Sequence, residues 1–227
     1  MKLMRLLGLA SPDPLRRLRT LEMIAEHQLR RLPQEQIDRH LEIPPPLPQE
    51  TLNGARLFQD RETMLEVIPK GGEVAEVGTF RGYLSAHIAS VVRPRFFHLI
   101  DLDFSPFEAS LDCQFEQHQG DSSTVLNTFA PASLDWIYID GDHSYEGARK
   151  DLEAAHRALR PGCLMTVNDW TNWATLSVGP YGVARATNEF IIAHDYNEFI
   201  IAHDYKVEGL AFFPAGNHDL LIRKPVA

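Results

Sequence analysis

The sequence predicts an α/β fold: a mostly parallel sheet with helices on both faces and a C-terminal antiparallel hairpin. Three observations lead there. From residue 51 onward short apolar runs alternate with segments of helical periodicity, a pattern that demands crossover connections and a sheet covered on both sides. The last two runs, KVEGLAFF (206–213) and HDLLIRK (218–224), are separated only by the turn PAGN, which suits a hairpin. Ahead of all this, IPPPLPQE at 43–50 holds three consecutive prolines. Such a run removes donors and fixes φ, so it reads as a stiff linker at a domain boundary.

The elements follow in order. Residues 1–50 form a helical N-terminal extension and its linker: Leu18, Leu21, Ile24, Leu29 and Leu32 recur at roughly helical spacing among Arg and Glu. The main domain spans 51–227. It opens with a helix near 51–67, then the strand EVAEV (73–77), a glycine-bearing turn and the helix YLSAHIASVV. The strand FFHLID (96–101) follows, then CQFEQHQ (113–119) and the helical SSTVLNTF. LDWIYID (134–140) is a strand, SYEGARKDLEAAHRAL a helix, and GCLMTVND (162–169) the strand before the hairpin. One feature stands apart: NEFIIAHDY occurs at 188–196 and again at 197–205. Two short copies cannot build a solenoid. Nine residues make two and a half helical turns, so in one helix the second Phe-Ile-Ile faces opposite the first. Either one copy takes the core-facing position, or the extra stripe meets another chain in a homo-oligomer. A recent or engineered duplication with no catalytic role is the preferred reading, one that disturbs packing and not chemistry.

The bulk properties narrow the classes. A chain of 227 residues holds one sizeable core plus an appendage. Its net charge of -9 argues against a nucleic-acid-coating surface. Residues 1–40 carry eight Lys/Arg against five Asp/Glu, and the rest fourteen against twenty-six; the basic head reads as a solvated helical face. Cys113 and Cys163 are the only cysteines and are expected as buried free thiols in a reducing cytosol. The start MKLMRLLGLA resembles a signal peptide only faintly, and no run reaches transmembrane length. A cytoplasmic protein with no membrane partner is expected.

Three strand ends carry ligand-competent residues. Glu76, Gly78 and Gly82 lie between a strand and a helix, where glycines let the backbone turn sharply beside a helix N-terminus. A tight β-α loop would look the same, and the fingerprint G-x-G-x-x-G is not met. Asp101 ends the second strand, the place for an acid that binds a ribose diol. Asp121, Ser122 and Ser123 follow the third; they also suit a helix N-cap. The stretch YIDGDHSYEG then gives Asp140 at a strand end, Asp142, His143 and a capping Ser144. If its strand neighbours the next, Asn168 and Asp169 meet Asp140 on one rim, three oxygen ligands suited to Mg²⁺. His143 is within reach of a group bound there and titrates near neutrality; Asp142 could be the base instead, or orient His143. The remaining histidines are mostly expected at the surface.

The motifs EVGTFRG, HLID, GDSS, YIDGDHSYEG and VNDW, in that order over about 70–225, resemble the class I S-adenosylmethionine-dependent methyltransferases. The nearest resemblance is to small-molecule O-methyltransferases with a D-G-D-H-S-Y motif, such as catechol and macrolide-sugar enzymes. It implies a Rossmann-like seven-stranded sheet ending in the hairpin. By the same resemblance Glu76, Gly78, Thr79 and Gly82 surround the methionine part of S-adenosylmethionine, Asp101 holds the ribose, and Asp121 and Ser122 flank the adenine. Asp140, Asn168 and Asp169 map to Mg²⁺ ligands, and His143 to the base; the order Asn-Asp reverses that of the catechol enzymes. The acceptor implied is a hydroxyl on a small molecule, with Trp170, Trp173 and Tyr181 as candidate pocket walls. Three rivals stay open: metal-independent methyl transfer, a dinucleotide- or nucleotide-sugar-binding oxidoreductase, and a non-catalytic binding module.

Overall fold

The computed structural model describes residues 43–174, 179–192, 203–213 and 217–226, together with Arg19 and Met23. The helical extension read from the first forty residues thus falls outside the described residues, apart from those two, which are helical. The strands are β1 (Arg56–Phe58), β2 (Glu73–Val77), β3 (Phe96–Asp101), β4 (Phe115–Gln119), β5 (Leu134–Ile139), β6 (Leu159–Val167), β7 (Trp173–Ala174), β8 (Gly179–Pro180), β9 (Lys206–Phe212) and β10 (His218–Arg223). The helices are α1 (Gln49–Leu52), α2 (Arg61–Leu65), α3 (Tyr83–Val92), α4 (Ser122–Leu126), α5 (Tyr145–Ala158) and α6 (Val183–Ile191).

Among the described residues, eight strands form one sheet in the order β1-β9-β10-β6-β5-β2-β3-β4. All its pairings are parallel except the two made by β10, with β6 and with β9. The hairpin is therefore as expected, but it does not end the sheet. The helix expected near 51–67 is broken into α1, β1 and α2, and β1 adds an eighth strand alongside β9. Gly54 at φ +83 interrupts the helix. Asp60 restarts it by accepting the Thr63 N–H at 2.8 Å. β4 begins two residues later than expected, so Cys113 lies before it, and both cysteines are half-buried free thiols.

Successive residues of β5 feed opposite faces. Leu134, Ile137 and Ile139 join α5 and α6 residues such as Leu152, Ala155 and Phe190 in one core. Trp136 and Tyr138 join Met64, Leu65 and Ile88 in the other. This is why the run reads as continuously apolar: the strand is covered on both sides. α5 starts at the Ser144 cap, whose hydroxyl accepts the Gly147 N–H at 3.0 Å.

Of the duplicated stretch, Asn188–Ile191 of the first copy complete α6, with Phe190 and Ile191 buried. His203, Asp204 and Tyr205 of the second lead into β9, with Tyr205 buried. Residues 193–202 lie outside the described residues. The two ends meet: the His203 N–H donates to the Phe190 carbonyl at 3.2 Å.

Candidate active site

The sheet brings three strand ends level. Val77 pairs with Ile139, and Ile139 with Val167. The Asp140 N–H donates to the Val77 carbonyl and the Asn168 N–H to the Ile139 carbonyl, each at 2.9 Å. The residues that follow β2, β5 and β6 thus share one rim. It lies where β3 leaves β2 on one side and β5 on the other, the crevice in which open α/β sheets hold ligands. Gly78 sits there at φ +81, and a Cβ on it would collide with the Asp140 carbonyl oxygen. Only glycine fits.

The glycine turn is built around an acid. Asp101 Oδ2 accepts the N–H groups of Thr79 and Phe80, both at 2.8 Å, and the Thr79 hydroxyl at 3.2 Å. Its other oxygen accepts the Asp103 N–H at 3.2 Å. Gly82, at φ +79, opens α3. Beneath the turn, Glu76 is fully buried and neither carboxylate oxygen has a hydrogen-bond partner. Burial pushes its carboxyl up to about 8, against the pull of the nearby Ser85 hydroxyl. Asp121 caps α4 and accepts the Thr124 N–H at 2.8 Å. Ser122 turns inward, its hydroxyl donating to Asp151 on α5 at 2.5 Å; burial pushes that carboxyl up to about 6.

On the β5–β6 side His143 is the centre. Its Nε2 lies 3.3 Å from Asp140 Oδ1 and 3.4 Å from Asp169 Oδ2, though neither contact has hydrogen-bond alignment. Burial alone would lower the imidazole pKa; Asp140, then Asp169 and the Asn168 amide, outweigh it and raise it. Burial raises the Asp169 carboxyl, opposed by the Asn217 amide and by His143. Asp169 takes φ +53, a left-handed turn that Asp tolerates, at the end of β6. The His143 ring stacks on Tyr181, centroids 4.4 Å apart and planes 8° from parallel. The Gly182 N–H donates to the His143 carbonyl at 2.9 Å, fastening the second half of the 170–182 segment to the site. A narrow cavity lined by Ile139, Asp140, His143, Leu152, Asn168 and Val183 opens beside the ring.

Asn168 is held from behind. Its Nδ2 donates to Asp219 Oδ1 at 2.8 Å and to the Tyr138 hydroxyl at 3.2 Å. Asp219, on β10, also accepts the Tyr138 hydroxyl at 2.7 Å and Arg61 in two bonds of 2.7 and 3.2 Å. With the amide nitrogen committed there, the amide oxygen is left for the His143 side. Asp140, His143, Asn168 and Asp169 are thus brought together. Asp142 lines the same cavity, but both its oxygens accept from Ser144, backbone at 2.9 Å and hydroxyl at 2.8 Å, in an exposed turn. Trp170 donates its Nε1–H to Asn188 at 2.9 Å and packs on the core, while Trp173 stands exposed.

Sequence reasoning missed Asp219, Arg61 and Tyr138. A signal was present for Asp219, an acid inside the apolar run HDLLIRK, since a buried charge must be paired. Nothing pointed to Arg61, 158 positions away. The expectation of surface histidines also needs correction. His98 and His118 face each other half-buried with nitrogens 3.0 Å apart, and His156 packs on His203 with centroids at 4.0 Å. Strand pairing and the α6–β9 junction bring these rings together, and neither is visible in sequence spacing.

Residues 75–170 match the family model described as a methyltransferase domain. No curated protein matches the chain. Among solved structures, a protein from Clostridium thermocellum described as an rRNA methylase aligns with TM-score 0.51 and 16% identity, over 72% of this chain and 94% of its own. Spermidine synthase from Thermotoga maritima aligns with TM-score 0.47 and 16% identity, over 74% of this chain and 58% of its own. The MycE methyltransferase of the mycinamycin pathway, in complex with Mg and SAH, aligns with TM-score 0.45 and 19% identity, over 69% and 45%. The chain spans 58% of the length of the synthase. At such identities the likeness is one of fold. No helix among the described residues is long and apolar enough to cross a membrane.

Proposed function

We propose that this chain, whose residues 75–170 match a methyltransferase domain, is an S-adenosylmethionine-dependent methyltransferase that carries out Mg²⁺-dependent O-methylation of a small-molecule hydroxyl on a sugar, polyketide or aromatic. The observation that carries this reading is the convergence of three oxygen-bearing side chains, Asp140, Asn168 and Asp169, with the His143 imidazole on one rim.

The residues present fit the donor. Glu76, buried with two unpartnered oxygens, suits the ammonium of the donor's methionine part, with Gly78, Thr79 and Gly82 lining the same turn. Asp101 already shapes that turn with Oδ2, leaving capacity on Oδ1 for ribose hydroxyls. Asp121 and Ser122 would flank the adenine, Ser122 by its backbone because its hydroxyl is engaged. When bound, S-adenosylmethionine supplies an electrophilic methyl on a sulfonium sulfur. The rim also fits a hard cation in kind, since Asp140, Asp169 and the Asn168 amide all offer oxygen. Mg²⁺ there would supply positive charge that lowers the pKa of the acceptor hydroxyl.

The chain's own groups do the rest. His143 Nε2 takes the hydroxyl proton, and Asp140 and Asp169 stabilise the imidazolium that results. Tyr181 fixes the ring plane by stacking. Asp219, through Asn168, fixes which amide atom faces the rim. The acceptor oxygen so freed would be the nucleophile toward the methyl group that the bound donor would supply, with Glu76, Gly78, Thr79, Gly82 and Asp101 holding that donor beside it. Orientation and exclusion of water are the main contributions.

A metal-independent reading has one observation in its favour: Nε2 already occupies the space between the carboxylates, where a shared cation would need His143 to ligate it or turn aside. Incubation with S-adenosylmethionine and a panel of hydroxylated sugars, macrolides and aromatics, with and without EDTA, separates the two. The proposal expects transfer that EDTA abolishes and added Mg²⁺ restores. Chelator-insensitive transfer selects the metal-free reading, and tight NAD binding without transfer rejects both.

A further inference from the structure

At the far edge of the sheet a second cluster of ligating groups lies apart from the rim. β3 and β4 are parallel neighbours in which His98 pairs with Glu116, and Ile100 with His118. Paired residues and those two apart share a face, so His98, Glu116 and His118 project together. His98 Nδ1 stands 3.0 Å from His118 Nε2. Glu116 Oε2 is 3.8 Å from the same His118 nitrogen. One ligand atom from each of the three residues falls within 4.8 Å of the others. The histidine side chains are 18% and 20% exposed and Glu116 is 60% exposed, so the group is enclosed on one side and reachable from the other.

We propose that His98, His118 and Glu116 form a site for a borderline divalent transition metal, Zn²⁺, which ties the edge strand β4 to β3.

The donor set is the first reason. Two imidazoles and one carboxylate suit Zn²⁺. Neutral imidazole is the ligating form. The surroundings are the second reason. His98 Nε2 lies 3.5 Å from Glu73 Oε2, a carboxylate placed to receive the outer N–H and leave Nδ1 bare, the usual support of a metal-bound histidine. Phe129 packs against both rings at 4.8 and 5.4 Å, and Phe96 against His98 at 4.9 Å, which restricts their rotation. Geometry is the third. Tetrahedral Zn–N bonds of about 2.0–2.1 Å need nitrogens about 3.3 Å apart, so the pair opens by about 0.3 Å, a small side-chain rotation. His118 then carries its proton on Nδ1 rather than Nε2, a change of tautomer with no net proton release. Water completes the fourth position.

The test uses the full chain stripped of metal, titrated with Zn²⁺ against a chromophoric chelator. His98→Gln and His118→Gln are each expected to weaken the uptake by about 100-fold or more, and Glu116→Gln by about 10-fold. Asp140→Asn/Asp169→Asn removes any second equivalent bound at the rim and is expected to leave the equivalent held by His98 and His118 in place. Co²⁺ substitution should give the intense visible bands of four-coordinate cobalt in the wild-type chain and lose them in His118→Gln. Far-UV circular dichroism confirms that each variant folds. Should the histidine variants bind Zn²⁺ as the wild type does, should the rim variant alone lose it, or should the wild type take up none, the proposal is overturned. A wild-type cobalt spectrum that is octahedral, or unchanged in His118→Gln, overturns it as well.

Discussion

Replacing Glu76 by Gln probes the donor end of the site through stability, with no turnover needed. The carboxyl is fully buried without a hydrogen-bond partner, and its pKa rises from 4.5 to about 8. Below 4.5 the folded and unfolded chains both hold the proton. Between 4.5 and about 8 only the folded chain holds it, so the wild type loses stability as pH rises, at about 1.4 kcal/mol per pH unit. From about pH 5 to about pH 8 this amounts to on the order of 3 kcal/mol. The glutamine side chain carries no such proton. Any cost of burying its amide is the same at every pH and cancels from the slope. Urea denaturation of both chains at about pH 5, 6, 7 and 8 should therefore show Glu76→Gln gaining on the wild type steadily as pH increases. Asp151 and Asp169 titrate in both chains and drop out of the difference. A difference flat across this range would refute the reasoning, because it would mean Glu76 is ionised or solvated in the folded chain. The same substitution should weaken S-adenosylmethionine binding in calorimetry, since the ammonium would lose its carboxylate.

Three further outcomes are expected. His143→Ala should retain S-adenosylmethionine affinity and lose turnover; unchanged turnover removes His143 from the chemistry. Asp219→Ala should cost about 3 kcal/mol in urea denaturation, because it strands Arg61, Tyr138 and the Asn168 amide together; a cost below about 1 kcal/mol would show the network to be dispensable. Gly78→Ala should destabilise by about 3 kcal/mol or more and abolish donor binding, as its Cβ would overlap the Asp140 carbonyl oxygen with φ at +81°; wild-type melting would contradict the close approach.

Much of the site was readable because parallel strands end together. An acid after β5 and an amide–acid pair after β6 must share a rim once the strands are neighbours, and alternation of strand and helix makes them neighbours. The parts that escaped depend on register or on local competition. Asp142 read as a base or as an orienter of His143, but a neighbouring Ser144 offers a hydroxyl and an N–H two residues on, and both oxygens accept from it. His98 and His118 are ordinary histidines until β3 and β4 align them. Arg61 and Asp219 meet only through the fold. The helix expected near 51–67 failed at Gly54, whose left-handed backbone opens room for an eighth strand.

The junction between α6 and β9 has a practical meaning. Residues on either side of 193–202 are joined by the Phe190–His203 backbone hydrogen bond, and both flanks are anchored in the core by Phe190, Ile191 and Tyr205. These two flanks stand side by side, and in general lengthening a flexible segment between held ends costs only about 0.6 kcal/mol per doubling. The strands that carry the rim, β2, β5 and β6, are paired in register elsewhere in the sheet. A foreign sequence spliced between these anchored flanks, such as an epitope or a tethering peptide, would have its ends held at one place, apart from the strands that carry the rim.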